Sequence, residues 1–263
     1  MSYWKERSQP YKPGQTAPFK VSRSKIELFT QCPRCFWLDA RLKIKRPNGP
    51  PFNINKLIDE LFKKEFDVHR AAGTKHPLQE EFNIEAIPYK HDEINTWREN
   101  FIGVFTTHEL TNLHVFGAVD DVWVNEQGEL MVVDYKATSK DKQVTALGPV
   151  GGWQDSYRRQ MEVYQWLLRA KGFKVSNTGY FVYATADTSK KDFKDVIEFR
   201  TSVFAYVGSD AWVEPTLVKM KQCMDSDTMP PVGKAAMGGD CDYCMYARSR
   251  TELTLSALQN NKK

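Results

Sequence analysis

The sequence lacks several features that would assign it to a broad class of protein. No apolar run approaches the roughly 20 residues that a membrane helix requires, and Met1–Lys20 has no apolar core of the kind found in signal peptides. We therefore expect a cytoplasmic protein without a membrane partner. Charge is nearly balanced, because the sequence has 37 Lys and Arg residues and 33 Asp and Glu residues, which gives a net charge of +4. This balance predicts at most a local basic surface and excludes a protein that coats nucleic acid indiscriminately.

Cysteine is scarce, and its arrangement argues against a disulfide framework. Five cysteines in a chain without an export signal favour reduced thiols, since the cytosol does not keep disulfides oxidised. Four of them form two C-x-x-C pairs, Cys32 with Cys35 and Cys241 with Cys244. Two such pairs supply four thiolates, which is the ligand set of many metal centres. We predict one shared metal centre for them and a small buried side chain for Cys223.

The apolar pattern predicts an α/β protein with one main domain. Of the 263 residues, 41% are hydrophobic, which suffices for one substantial core. We expect a flexible arm (1–23), one domain (24–250) and a frayed tail (251–263). The domain is expected to consist of a helical part (24–105), an α/β core (106–207) and a C-terminal helix with the second cysteine pair (208–250). The predicted elements are helices at 24–32, 36–42, 55–70, 92–105, 155–171 and 210–224 and strands at 114–124, 129–138, 178–184 and 196–204.

Two of these strands meet at a tight turn and bring acidic residues together. Because strand side chains alternate between faces, Asp134 and Lys136 point the same way. If Glu126–Gly128 forms a three-residue loop with its glycine in the left-handed conformation, Asp120 lies opposite Asp134. Two adjacent carboxylates repel unless a divalent cation neutralises them, and oxygen ligands suit Mg²⁺ or Mn²⁺. The lysine can orient an attacking water or stabilise charge on a phosphoryl oxygen.

The helix predicted after this hairpin carries Gln160 and Tyr164. The two residues are four apart and therefore share a helix face, where a surface glutamine and a packed tyrosine would be the ordinary interpretation. Three motifs nevertheless follow in order: G-x-x-D at Gly117–Asp120, D-x-K at Asp134–Lys136 and Q-x-x-x-Y at Gln160–Tyr164. This order resembles the core of the RecB-like family of PD-(D/E)XK nucleases, which has the same three motifs.

The resemblance implies a restriction-endonuclease-like PD-(D/E)XK core with a mixed central sheet flanked by helices, preceded by a helical segment. It also implies a metal-dependent DNA nuclease. The implied metal ligands are Asp120, Asp134 and the main-chain carbonyl of Tyr135, with Lys136 assisting the water and Gln160 and Tyr164 contacting the substrate strand near the scissile phosphate.

The sequence departs from this family at one expected metal ligand. The family places a histidine on an upstream helix, and the equivalent position here holds Asp59, within Asn55–Phe62. A carboxylate can still bind magnesium. Asp59 is therefore either a further metal ligand or an acid on the helix surface. His69, on the same predicted helix, is a weaker candidate, for which a solvated helix residue is the expected role.

The cysteines carry a second resemblance. CRISPR-associated and AddB-type members of this family join the two ends of the nuclease with an iron-sulfur cluster, and here one cysteine pair precedes the core and the other follows it. The resemblance implies a 4Fe-4S cluster. Those relatives commonly use one N-terminal and three C-terminal cysteines, whereas this sequence divides them two and two. Structural Zn²⁺ therefore stays open as an alternative, as do four uncoordinated buried cysteines.

Together these features predict a Mg²⁺- or Mn²⁺-dependent deoxyribonuclease, an exonuclease of DNA repair, recombination or CRISPR-type processing. The expected partner is DNA with a single-stranded segment. The sequence contains no G-x-x-x-x-G-K-[ST] phosphate loop, so a helicase or a repair or CRISPR protein would have to supply unwinding. Two alternatives remain. One is a catalytically weak, metal-stapled DNA-binding module, favoured by the departure at Asp59, and the other is a hydrolase of small phosphoesters.

Overall fold

The computed structural model describes residues 9–235 and 238–260. The chain divides into two compact units. The single domain expected over 24–250 stays a prediction. Unit 1 is drawn from Met1–Gly49, Thr107–His114 and Glu214–Lys263, and unit 2 from Pro50–Thr106 and Val115–Val213. No helix among the described residues is both long enough and apolar enough to span a membrane.

The described residues form eight helices and eight strands. They are β1 (Phe19–Ser22), α1 (Arg23–Gln31), α2 (Pro33–Leu42), α3 (Asn53–Ala72), α4 (Pro77–Glu81), β2 (Ala86–Pro88), α5 (Ile94–Trp97), β3 (Val104–His108), β4 (Leu113–Gly117), β5 (Asp121–Asn125), β6 (Leu130–Lys140), α6 (Asp155–Ala170), β7 (Thr178–Asp187), β8 (Phe199–Val207), α7 (Val213–Asp225) and α8 (Asp242–Asn260).

A five-stranded mixed sheet in the order β2-β5-β6-β7-β8 forms the centre of unit 2. Only β6 and β7 are parallel, and the other neighbours are antiparallel. A second sheet has three strands in the order β1-β4-β3. The predicted mixed α/β fold with helices flanking the sheet is therefore confirmed.

Helices α3 and α6 cover opposite faces of the five-stranded sheet. Phe62 and Phe66 of α3 pack with Trp123 and Tyr135 on one face. On the other face, Gly179 of β7 lies so close to α6 that an added Cβ would come within 2.4 Å of the Met161 sulfur. Because the apolar residues of α3 recur at helical spacing and the helix ends at the left-handed Gly73, its position follows from the sequence.

One predicted helix is wrong, and one predicted strand is divided. The helix expected over 92–105 is only the single turn α5, because Gly103 has a φ of +63° and an added Cβ there would lie 2.3 Å from the carbonyl oxygen of Gly117. The chain cannot continue as a helix through this close approach. The strand expected over 114–124 is divided into β4 and β5.

The described parts of both terminal segments contain hydrogen-bonded or helical structure. Residues 1–8 of the expected arm lie outside the described residues, but Tyr11 is buried and donates a hydrogen bond to Asp225 at 2.5 Å, and β1 begins at Phe19. The expected frayed tail is instead the end of helix α8, which continues to Asn260; residues 261–263 lie outside the described residues.

Candidate functional site

The turn between β5 and β6 sets the relative position of the two central carboxylates. Gly128 has a φ of +72°, the left-handed conformation predicted for the end of this loop. The strands pair in the predicted register, which places Asp120 opposite Asp134. Asp120 Oδ2 accepts a hydrogen bond from Tyr135 N at 3.0 Å. The hairpin and its register are therefore confirmed.

Asp134 is the most deeply buried charge of this site. Its side chain forms an ion pair with the ammonium group of Lys136, so the two residues share one face of β6 as predicted. Burial raises the pKa of Asp134 to about 7, while Lys136 opposes this shift and Asp120 adds to it. Burial opposes the charge of Lys136 as well, but its pKa is raised because both carboxylates lie beside it.

Asp59 reaches the same site from helix α3. It lines a cavity of about 250 Å³ together with Tyr135 and Lys136. Burial, and then the nearby charge of Asp120, raise the pKa of Asp59 to about 6. Lys63, one helical turn later, donates to Asp59 Oδ2 at 2.8 Å. Sequence analysis missed Lys63, because helical spacing alone does not distinguish this counter-ion from a surface lysine.

Three buried carboxylate oxygens of the site have no hydrogen-bond donor within the described residues. They are Oδ1 and Oδ2 of Asp134 and Oδ1 of Asp59. The Lys136 contact with Asp134 is thus an ion pair without a well-directed hydrogen bond. Buried anionic oxygens are costly unless a cation satisfies them. Since hard divalent cations prefer oxygen ligands, the residues present fit Mg²⁺ or Mn²⁺.

A buried ion network beside the hairpin was not predicted. Asp121 accepts hydrogen bonds from Tyr135 Oη at 2.7 Å and Arg98 Nη2 at 3.0 Å, and it also pairs with Arg70. Arg98 donates to the carbonyl oxygen of Asp120 at 3.2 Å. The buried charge of Asp121 depends on such partners. The network therefore fixes the backbone of Asp120 and the side chain of Tyr135, both of which border the carboxylate site.

Helix α6 carries the predicted glutamine and tyrosine. Gln160 and Tyr164 are both buried, and Gln160 Nε2 lies 3.3 Å from Tyr164 Oη. Tyr157 lies one turn earlier on the same helix, and its ring centroid is 4.8 Å from Lys136 Nζ. Sequence analysis missed Tyr157, although its spacing of three from Gln160 placed it on the same helix face. Contact of Gln160 and Tyr164 with a substrate stays a prediction.

The four paired cysteines converge in unit 1. Their sulfur atoms all lie within 4.8 Å of one another, with Cys244 Sγ at 3.7 Å from Cys32 Sγ and 3.5 Å from Cys35 Sγ. Elsewhere in the described parts of the chain, no three His, Cys, Asp or Glu side chains converge this closely. The predicted convergence is confirmed, and four sulfur ligands at this spacing could hold a metal centre.

Hydrogen-bond donors surround these sulfur atoms. Cys32 Sγ accepts from Gly233 N at 3.2 Å and from Cys35 N at 3.4 Å. Burial opposes ionisation of Cys32, but these hydrogen bonds outweigh it and lower its pKa to about 7. Arg46 Nη2 lies 3.3 Å from Cys241 Sγ. The guanidinium group thus offsets part of the negative charge that four thiolates would carry.

The two weaker candidates lie outside these clusters. Cys223 is half-buried on α7 and is not among the converging cysteines, and burial raises its pKa to about 11. His69 is partly exposed near the end of α3, where its Nδ1 lies 3.0 Å from Thr74 Oγ1.

Comparisons with known proteins agree with this geometry. Residues 20–249 match the family described as the PD-(D/E)XK nuclease superfamily. No curated protein matches the sequence significantly. Five chains of solved structures match. One, described as the crystal structure of SSO0001, is 14% identical with a TM-score of 0.38, covering 80% of this chain and 79% of that chain. That likeness is too distant to support a functional assignment.

The family match spans most of the chain, including the carboxylate site and all four converging cysteines. Members of this family are generally metal-dependent nucleases. The match covers most of the chain, and the carboxylates and the lysine lie together on β6 and its neighbours. The chain therefore belongs to the PD-(D/E)XK nuclease superfamily.

Proposed function

We propose that the protein is a Mg²⁺- or Mn²⁺-dependent deoxyribonuclease of the RecB-like branch, resembling its AddB-type and CRISPR-associated iron-sulfur members. The observation that carries this proposal is the buried Asp134 carboxylate, whose oxygens lack hydrogen-bond donors within the described residues while Lys136 lies beside them. Such a group fits a cation-assisted hydrolysis of a phosphodiester. Membership of the nuclease superfamily supports the same reaction.

Each residue of the site has a proposed role. Asp59, Asp120, Asp134 and the main-chain carbonyl of Tyr135 would hold the cation, and Gln160 and Tyr164 would contact the substrate strand. The bound cation supplies a polarised phosphoryl oxygen and an activated water. Lys136 orients the attacking water and stabilises the negative charge that develops on phosphorus-bound oxygen. Arg98, which also donates to Asp121, holds the backbone of Asp120 in place by a direct hydrogen bond to its carbonyl oxygen.

The converging cysteines would hold a 4Fe-4S cluster, with structural Zn²⁺ as the alternative. Four sulfur atoms within 4.8 Å of one another match a tetrahedral zinc site, whose sulfur ligands lie about 3.8 Å apart for Zn–S bonds of about 2.3 Å. A 4Fe-4S cluster would require the four sulfur atoms to move farther apart. The placement of the cysteine pairs before and after the nuclease residues in the sequence favours an iron-sulfur cluster. The division of the four cysteines into two N-terminal and two C-terminal residues favours zinc. Metal analysis of protein purified without oxygen decides between them.

The proposed biological role is exonucleolytic DNA processing in the cytoplasm, in repair, recombination or CRISPR-type DNA processing. The substrate would be DNA with a single-stranded segment. A helicase or a repair or CRISPR protein would supply unwinding, because the sequence has no nucleotide-binding phosphate loop.

One observation favours a second candidate, a catalytically weak DNA-binding module. Lys63 already neutralises Asp59, at 2.8 Å, and so competes with a cation for that carboxylate. Incubation with end-labelled and internally labelled single-stranded and duplex DNA, in Mg²⁺, Mn²⁺ or chelator, separates the candidates. We expect cation-dependent release of short products from single-stranded ends. DNA binding without cleavage would instead support the binding module, and cleavage of small phosphoesters alone would support a hydrolase of that class.

A further inference from the structure

The cavity beside Lys136 has walls of two chemical kinds. Asp59 and Lys136 supply charge on one side. The remaining lining is largely apolar or aromatic, and it includes Phe52, Ile58, Ala137 and Tyr157. Cation ligands and a lysine account for the charged side, but neither hydrolysis nor metal binding requires the aromatic rings.

Phe52 is an exposed aromatic side chain at the start of a helix that is tied to the sheet. It is 71% exposed and occupies the N-cap position of helix α3. The first turn of this helix is tied to β6, since Asn55 Nδ2 donates to the carbonyl oxygen of Ala137 at 2.7 Å. Covering an apolar ring at the rim of a cavity with a ligand is favourable, because the ring is then removed from water.

A second aromatic group, Tyr157 with Trp153, extends from the lysine to the surface. The ring of Tyr157 lies against Lys136, and the ring of Trp153 packs edge-on against Tyr157 at 5.3 Å between centroids. Trp153 is 50% exposed. Its loop is anchored, because Gly148 N donates to Gln154 Oε1 at 2.6 Å. These rings are therefore prepositioned, which lowers the entropy lost when a flat ligand binds.

We propose that this cavity is a binding pocket for one unpaired nucleobase of the strand being cut, with Phe52 and Tyr157 as its stacking surfaces. The inference rests on the proposed nuclease function and adds the surface that would select an unpaired strand. A flat, aromatic ligand attached to an anionic phosphate matches both kinds of wall. A base still paired within a duplex is stacked on its neighbours and would have to leave the helix to enter about 250 Å³. The pocket thus selects single-stranded or frayed DNA.

The test uses a DNA oligonucleotide with a terminal 2-aminopurine, whose fluorescence falls when the base stacks. Binding is measured with full-length metallated protein in Ca²⁺ in place of Mg²⁺, so that the readout does not require cleavage. We expect quenching with single-stranded DNA and little with a blunt duplex. Phe52→Ala and Tyr157→Leu should each weaken binding of the single strand roughly tenfold, whereas Tyr157→Phe retains the ring and should bind like the wild type.

Ile54→Ala is the matched control, because Ile54 is 55% exposed in the first turn of α3 and does not line the cavity. An oligonucleotide with an abasic terminal residue supplies the second control. It should bind the wild type at least as weakly as the normal strand binds Phe52→Ala, and Phe52→Ala should weaken its binding no further. Equal losses on normal and abasic strands would overturn the pocket. Quenching without cleavage in Mg²⁺ would leave the pocket standing and remove the proposed nuclease function.

Discussion

The four-cysteine cluster of unit 1 and the carboxylate site of unit 2 differ in how their ligands are satisfied. The cysteine sulfurs all lie within 4.8 Å of one another, and Cys32 Sγ accepts two backbone hydrogen bonds. The carboxylates do not converge to that spacing. Each one has a different partner: Asp59 pairs with Lys63, Asp120 accepts a hydrogen bond from the backbone of Tyr135, and Asp134 pairs with Lys136. One side of the carboxylate site also opens into a cavity.

This difference matches the general contrast between structural and catalytic metal sites. A structural site is closed by protein ligands, whereas a catalytic site keeps positions for water and substrate. We therefore expect the cysteine cluster to determine stability and the carboxylate site to determine the rate of DNA cleavage. Changes in the cluster should have little effect on the cleavage rate, and changes in the carboxylate site should have little effect on stability.

The largest expected effect follows from removing a group of the carboxylate site. Lys136→Ala should lower kcat for DNA cleavage by about 10²- to 10³-fold, because the charge-stabilising group is lost, and Asp134→Ala should lower it at least as much. Folding and cysteine-bound metal should be unchanged, as measured by circular dichroism and metal analysis. Lys140→Ala is the control, since Lys140 lies on the same strand but is exposed. Cleavage close to the wild-type rate in either variant would refute the site.

The next effect concerns the cluster. Cys241→Ser should lose the cluster metal and make unit 1 sensitive to protease, because metal binding to four thiolates contributes directly to folding. Cys223→Ser, which removes the fifth cysteine, should keep the metal. Mass spectrometry of the fragments locates the cuts. Protection and metal content equal to those of the wild type would show that Cys241 is not a metal ligand.

A smaller effect is expected for the guanidinium beside the cluster. Arg46→Met removes a positive charge 3.3 Å from Cys241 Sγ and should speed transfer of the cluster metal to a chelator about 10- to 100-fold, the usual cost of losing a group that supports metal ligands. Arg250→Met is the control, because Arg250 is exposed and lines the same cavity as Arg46. Identical transfer rates in the two variants would exclude a specific role for Arg46.

The smallest effect is a pH dependence confined to the carboxylate site. A cation binds the deprotonated carboxylates, and the pKa of Asp134 is raised to about 7 and that of Asp59 to about 6. Mg²⁺ affinity should therefore be full above pH 7 and fall about tenfold per unit below it, more steeply below pH 6. Calorimetric Mg²⁺ titrations at several pH values measure this. An affinity independent of pH between 6 and 8 would contradict the assigned ligands.

The carboxylate hairpin was predictable because its determinants are local. A left-handed glycine at position 128 and strict alternation along β6 fix the register within a few residues. The convergence of the cysteines was predictable from two equal spacings, although the spacing alone does not decide between zinc and iron-sulfur.

The supporting residues could not be predicted for the opposite reason. Arg70, Arg98 and Asp121 meet only in three dimensions, and each one alone resembles a surface charge. The same holds for Lys63 and Tyr157. The helix expected over 92–105 was wrong because the close approach of Gly103 to Gly117, which lies in another segment, overrides the local apolar pattern.

The separation of the two cysteine pairs also has a consequence for biosynthesis. Cys35 and Cys241 are 206 residues apart, a length that a ribosome translates in roughly 10 to 40 s at about 5–20 residues per second. During that interval the first pair of thiols has been made and the second has not. A nascent chain that stops before Cys244 therefore cannot complete the four-cysteine cluster. Binding of the metal thus distinguishes chains translated as far as Cys244 from shorter ones.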